Sequence, residues 1–109
     1  MKILFLGDVV GLSGCKKIFN DLSSQIQKNN IDFVIINGEN ADDTGVGLTS
    51  EICRNFFENG VDVITTGNHV WDQKDIMNFI DTENRLLRPK NLFEPAPGKG
   101  FEIYKTKKN

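Results

Sequence analysis

One histidine and one tryptophan occur in 109 residues, and both fall in the stretch Gly67-Asn68-His69-Val70-Trp71-Asp72. Cysteine is almost as scarce. Cys15 and Cys53 stand 38 residues apart and lack the Cys-x-x-Cys spacing of a zinc site. A disulfide between them is open in principle, but a reducing compartment favours free thiols acting as core or surface filler. No apolar run approaches the roughly 20 residues of a membrane span. The start, Met1-Lys2-Ile3-Leu4-Phe5-Leu6-Gly7-Asp8, is too short and too soon acidic for a secretory signal, so the expected location is the cytoplasm, with no membrane partner. Positive charge is not in excess either: 13 Lys and Arg face 15 Asp and Glu, a net −2. That argues against stable nucleic-acid binding, while a small phosphorylated substrate remains compatible if a metal ion supplies the charge. Gly7, Gly11 and Gly14 do not spell G-x-G-x-x-G, and no G-x-x-x-x-G-K-[ST] occurs. A nucleotide-binding βαβ module without metal chemistry is therefore the weakest reading.

What is present is a thrice-repeated design. The apolar run 61–66 ends at Gly67 and then Asn68-His69, as a buried strand that delivers polar side chains to its carboxyl end. Lys2-Ile3-Leu4-Phe5-Leu6-Gly7 ends likewise at Asp8, and Phe33-Val34-Ile35-Ile36-Asn37-Gly38 at Glu39-Asn40. The steps from Asp8 to Glu39 and from Glu39 to Asn68 are 31 and 29 residues, about one strand-helix-strand unit of roughly 30 residues each. Three successive parallel strands would place Asp8, Glu39, Asn40, Asn68 and His69 along one sheet edge, where open α/β sheets bind ligands.

The length allows one domain at most, and a 39% apolar content suffices for a core. The first strand is expected over about 2–7. A glycine-rich loop then leads to a helix over about 15–28, with Ile18, Phe19, Leu22 and Ile26 inward and Asn29-Asn30 closing it. The second strand, about 32–37, is apolar on both faces, which fits a parallel strand covered by helices on both sides. Thr49 or Ser50 caps the next helix, whose buried stripe is Ile52, Cys53, Phe56 and Phe57 and which Gly60 ends in a left-handed conformation. After the third strand, about 61–66, a short helix over about 72–80 turns Ile76, Met77 and Ile80 inward, with Asp72 as its cap. Leu86-Leu87-Arg88-Pro89 suggests a fourth strand, 91–100 a loop, and the alternation of Phe101-Glu102-Ile103-Tyr104-Lys105 the start of another strand.

Hard divalent ions prefer carboxylate and amide oxygens, and first-row transition metals also accept imidazole. Asp8, Glu39, Asn40 and Asn68 thus make a plausible half of a two-metal site of the kind that clamps phosphoryl oxygens. Each alone has an ordinary structural reading: a turn aspartate, an Asn-Gly turn, a structural histidine. Their joint placement at three evenly spaced strand ends is what favours chemistry.

Gly7-Asp8-Val9-Val10-Gly11, Asn37-Gly38-Glu39-Asn40 and Gly67-Asn68-His69 resemble the sequence blocks of calcineurin-like metallophosphoesterases. The second block, Val70-Trp71-Asp72, Arg88-Pro89 and the Pro95–Gly100 loop resemble the bacterial YmdB-type branch. The resemblance implies that 1–109 is α/β, with parallel-strand βαβ units forming the amino-terminal half of an α/β/β/α sandwich, truncated at its carboxyl end. It implies a phosphodiesterase of 2′,3′-cyclic nucleotides, acting through a metal-bound hydroxide with two divalent ions, iron or manganese. By this likeness Asp8, Glu39 and Asn40 hold one metal, Glu39 bridges to a second held by Asn68, and His69 protonates the leaving oxygen. Members of that family are more than twice as long and draw further histidine ligands from a second half. The rival expectation is accordingly a catalytically incomplete fragment, which binds metal weakly or acts only in association with another chain, with the uncovered sheet face favouring homo-oligomers.

Overall fold

The computed structural model describes residues 1–106. Its chain order is β1 (Ile3–Leu6), α1 (Gly11–Asn29), β2 (Phe33–Asn37), α2 (Ser50–Glu58), β3 (Val63–Thr65), α3 (Ile76–Phe79) and β4 (Leu86–Leu87). The four strands are parallel in one sheet, in the order β1-β2-β3-β4. The expected α/β class and the repeating βα units are both found. No helix among the described residues is long and apolar enough to cross a membrane.

Strand order decides where the helices go. Every connection steps the same way across the sheet, and right-handed crossovers then deliver all the helices to one face. That face carries Leu4, Leu6, Val34, Ile36, Ile64 and Leu86 in register, packed with Leu22, Cys53, Phe56 and Ile76. The Phe19 ring of α1 meets Phe56 of α2 with centroids 5.5 Å apart. The expectation of helices on both sides is corrected by this topology. The opposite face holds Ile3, Phe5, Phe33 and Ile35, and Ile3 and Phe5 are 51% and 59% exposed. The last described residues reach this face: the Tyr104 ring packs on Phe33, centroids 6.0 Å apart, and its hydroxyl donates to the Asn84 carbonyl.

Helix α1 starts four residues before the expected position, at Gly11. The third loop glycine, Gly14, lies inside it, and its missing side chain lets Val9 Cγ1 approach to 3.0 Å of where a Cβ would stand. Leu22 is buried, Ile18, Phe19 and Ile26 are half-buried against the core, and Asn30 closes the helix at φ 52° as expected. In α2 the Thr49 hydroxyl accepts the Ile52 N–H at 3.3 Å, while the Asp75 carboxylate accepts the Ser50 N–H. Cys53 and Phe56 are fully buried, Ile52 and Phe57 partly so, and Gly60 follows at φ +104°. Both cysteines are buried and free. Burial pushes both thiols up, and for Cys15 the Asp42 charge adds to the effect.

Three expectations are corrected beyond β3. Helix α3 is a single turn, so Ile76 and Ile80 reach the core while Met77, about 100° around from Ile76, is 44% exposed. Asp72 lies before this helix in a run of turns and does not cap it. Residues 101–105 form no strand, because their alternation lacks a partner: Phe101 and Ile103 are 67% and 87% exposed. The fourth strand is confined to Leu86–Leu87. Arg88 follows it, buried, and organises the proline loop by donating to the Pro97 carbonyl at 3.0 Å, the Pro89 carbonyl at 3.1 Å and Glu94 Oε1 at 3.0 Å.

Candidate metal centre

The carboxyl ends of β1, β2 and β3 lie side by side. The Val9 N–H donates to the Asn37 carbonyl at 3.0 Å, Gly11 to Asn40 at 2.9 Å and Gly38 to Thr65 at 3.0 Å. These bonds carry the ladder past the strands into the loops that hold the candidate donors. Asp8 sits at φ 29°, a positive value that costs a non-glycine residue of order 1–3 kcal/mol and tends to persist at functional positions. Its Oδ1 accepts Asn40 Nδ2–H at 2.8 Å. Glu39 leans the other way, toward β3, where Oε2 accepts the His69 backbone N–H at 3.3 Å. Four of the five predicted residues thus form two touching pairs, Asp8 with Asn40 and Glu39 with His69. They are joined through the Glu39–Asn40 peptide. Asn68 stands exposed beside His69, with no hydrogen bond to the other four.

Gly67 makes the second pair feasible. A Cβ there would lie 2.3 Å from both Glu39 carboxylate oxygens. Only glycine lets the end of β3 close on this side chain.

The chemistry of the donors fits a hard divalent ion. Asn40 Oδ1 is buried with no hydrogen-bond partner, although an unsatisfied buried acceptor costs about 1–3 kcal/mol. The Asn40 Nδ2 prong faces Asp8, and turning the amide over would aim Oδ1 at a cation beside that carboxylate. Among the described residues no three His, Cys, Asp or Glu side chains converge on one point, so the set here is two carboxylates and two amides. A larger concavity, about 840 Å³, lies elsewhere, between the outer edge of β1 and α1, and its walls include Leu4, Leu6, Ile18 and Leu22. Its mainly apolar lining offers no comparable donor set.

One residue that sequence reasoning placed differently belongs to the site. The Gly67–Asp72 segment is two successive turns, Val70 N–H to Gly67 carbonyl and Asp72 N–H to His69 carbonyl, each at 3.1 Å. Buried Val70 anchors them in the core. The second turn brings Asp72 back over His69, with Oδ2 2.7 Å from Nδ1. The His-x-x-Asp spacing was the available signal, masked by the commoner reading of an aspartate ahead of a helix as a cap.

The 38–48 loop backs this turn. Asp42 Oδ2 accepts the Thr44 hydroxyl at 2.7 Å and Gln73 Nε2–H at 3.2 Å, and Gln73 also donates to the Val46 carbonyl at 3.1 Å. Burial would raise the Asp42 carboxyl, but the Thr44 hydroxyl and backbone hydrogen bonds hold it below the usual carboxylate range.

A parallel sheet with carboxylate and amide donors at three adjacent strand ends defines an α/β protein with a candidate ligand-binding edge. Residues 4–109 match the family model described as YmdB-like protein, and the chain belongs to that family. It is 46% identical over 106 residues to the 2′,3′-cyclic-nucleotide 2′-phosphodiesterase of Bacillus subtilis strain 168, covering 97% of this chain and 40% of the relative. The crystal structure of a hypothetical protein from Thermus thermophilus superposes with a TM-score of 0.87 at 38% identity, over 96% of this chain and 40% of that one. That of a novel phosphatase from Mycoplasma pneumoniae gives 0.84 at 38% identity, over 95% and 39%. The chain therefore spans about two fifths of the length of these relatives.

Proposed function

We propose that this chain carries the amino-terminal half of a metal-dependent phosphodiesterase centre that hydrolyses 2′,3′-cyclic nucleotides. The observation that carries the reading is the pairing of Asp8 with Asn40 at adjacent strand ends, which leaves Asn40 Oδ1 a buried acceptor without a partner. The substrate class rests on the name of the Bacillus subtilis relative. Asp8, Glu39 and Asn40 would hold one divalent ion, iron or manganese, and Glu39 would share a second with Asn68. When bound, two such ions neutralise phosphoryl oxygens and make a water molecule acidic enough to serve as nucleophile.

The chain's own residues do the rest. Glu39 is fixed by the His69 N–H and stays in place while charge builds on the phosphoryl oxygens. His69 in its doubly protonated form, with Nδ1–H on Asp72, gives the proton on Nε2 to the leaving ribose 2′-oxygen as that P–O bond breaks and the water oxygen, its own proton released to solvent, bonds to phosphorus. The product keeps its phosphate on the 3′-oxygen.

A second reading has its own support: this chain alone is catalytically incomplete. Each ion takes roughly five or six ligands, and two carboxylates with two amides cannot serve two ions. The deciding experiment is manganese-supported hydrolysis of a 2′,3′-cyclic nucleotide. It compares this chain with a chimera that continues into the remainder of the Bacillus subtilis relative. Turnover by the chimera alone supports the half-site. Comparable turnover by both shows that these residues suffice, and none by either refutes the phosphodiesterase reading. In the chimera, His69→Ala should lower turnover by roughly 10²–10⁴-fold with metal content unchanged.

A further inference from the structure

We propose that Asp72 is the positioning residue of His69: it keeps the proton on Nδ1 and fixes the ring so that Nε2 is the nitrogen presented for proton transfer. The inference rests on the proposed role of His69 and goes beyond it, since it concerns what aims the imidazole. Asp72 Oδ2 lies 2.7 Å from His69 Nδ1. A carboxylate only accepts, so that nitrogen must carry the hydrogen. Nε2 has no hydrogen-bond partner among the described residues, and the His69 side chain is 37% exposed. One nitrogen is tied down and the other is left to the solvent side, the arrangement by which a second hydrogen bond sets the tautomer of a working histidine.

Asp72 is held in turn. Its backbone N–H closes the turn on the His69 carbonyl at 3.1 Å. Gly47, at φ +85°, packs so closely on the next turn that a Cβ would stand 2.8 Å from Gln73 Cγ and 3.2 Å from Asp72 Cβ. Gln73 is pinned to Asp42 and to the Val46 carbonyl. These contacts fix the backbone on which Asp72 stands, and a cap role leaves that geometry unexplained.

The single histidine makes the test direct, because every imidazole signal of the chain belongs to His69. In the metal-free chain, under alkaline conditions where nitrogen-15 NMR shows the ring to be neutral, the Nδ1–H tautomer should be the major form. Asp72→Ala should return the ring to the Nε2–H form that a free imidazole side chain prefers, with the amide spectrum otherwise intact, since the Asp72 side chain is 38% exposed. A major Nε2–H form in the unaltered chain, or a tautomer unmoved by Asp72→Ala, overturns the proposal. If Asp72→Ala disturbs the fold, Asp72→Asn keeps the shape and must weaken the Nδ1–H preference; an undiminished preference overturns the proposal equally.

In the chimera Asp72→Ala should lower kcat about 10–100-fold, with KM and bound metal unchanged. A loss expressed in KM or in metal content instead assigns Asp72 elsewhere. The tautomer experiment needs neither metal nor turnover. An Asp72-dependent Nδ1–H form alongside a fully active His69→Ala chimera would therefore refute the catalytic reading of His69 and leave its positioning standing.

Discussion

Gly67→Ala separates the stability of this fold from the integrity of its candidate centre. The Cβ of alanine would fall 2.3 Å from both Glu39 carboxylate oxygens, whereas ordinary contact begins at 3.4 Å. The carboxylate must therefore retreat by about 1 Å. Two outcomes have very different sizes. The obstructing atoms are the far end of a flexible side chain, so the fold adapts by moving Glu39 to another rotamer. A strained rotamer costs of order 0.5–1.5 kcal/mol, and loss of the His69 N–H bond to Glu39 adds about 1–3 kcal/mol if that group stays dry. Metal ligation is far less forgiving, since distances hold to within about 0.2 Å. A 1 Å displacement of the one carboxylate proposed to serve both ions should weaken manganese binding by at least about 100-fold.

The assay pairs urea unfolding of this chain with calorimetric manganese titration of the chimera, each with and without Gly67→Ala. The expected result is a shift of at most a few kcal/mol in unfolding free energy beside a collapse of metal affinity. Unchanged manganese affinity would refute the placement of Glu39 in the centre. A collapse of folding with no folded population would refute the argument that the clash falls on a movable group.

Other expectations follow from single contacts. Glu39→Gln keeps the shape and removes the charge, and it should reduce bound metal below two ions per chain in the chimera, counted by elemental analysis; two ions retained would exclude a bridging role. Asp75 caps α2 through the Ser50 N–H, and that bond, with the Ser50 hydroxyl, holds its carboxyl below the usual range. Because the folded-state pKa is depressed, this stability is present above the ordinary aspartate value near 3.9 and is lost as pH falls through the lower, folded value. Asp75→Asn should then cost about 1 kcal/mol near neutrality, a difference that shrinks below about pH 4 in pH-dependent thermal melts. The sheet face bearing Ile3 and Phe5 should drive self-association of this chain, and Phe5→Lys should shift sedimentation velocity toward monomer.

The repeat of apolar run, glycine and polar pair at intervals near 30 residues was legible because a βα unit has a nearly fixed length, and the same rule located all five candidate residues. Faces were harder to read. Leu4 and Ile3 are equally apolar, yet one packs under α1 and the other is half exposed. Which of them is covered depends on the direction in which successive strands add to the sheet, and alternation within a strand does not encode that. The single turn of α3 was overread for a related reason: Ile76, Met77 and Ile80 satisfy helical spacing over any length, and spacing alone does not say where the turns before Ile76 stop. At Phe101–Lys105 a sound alternation met no partner strand, and strands are stable only as pairs.

Asp72 shows most clearly where a local reading and a site reading part. The cap reading weighed Asp72 against the residues after it, and its partner lies three residues before it. A polar pair three residues apart can close on itself on a helix or, as here, across a turn, where the Asp72 N–H meets the His69 carbonyl. Here buried Val70 and Trp71, half-buried against the core, separate the pair, and their apolarity is what presses the intervening turn inward and lifts His69 and Asp72 to its rim. Val70→Ser tests this anchoring. Removing that anchor should broaden the His69 imidazole signal and weaken its Nδ1–H preference while Asp72 itself is untouched. A dyad as well formed as before would show that the turn needs no apolar anchor.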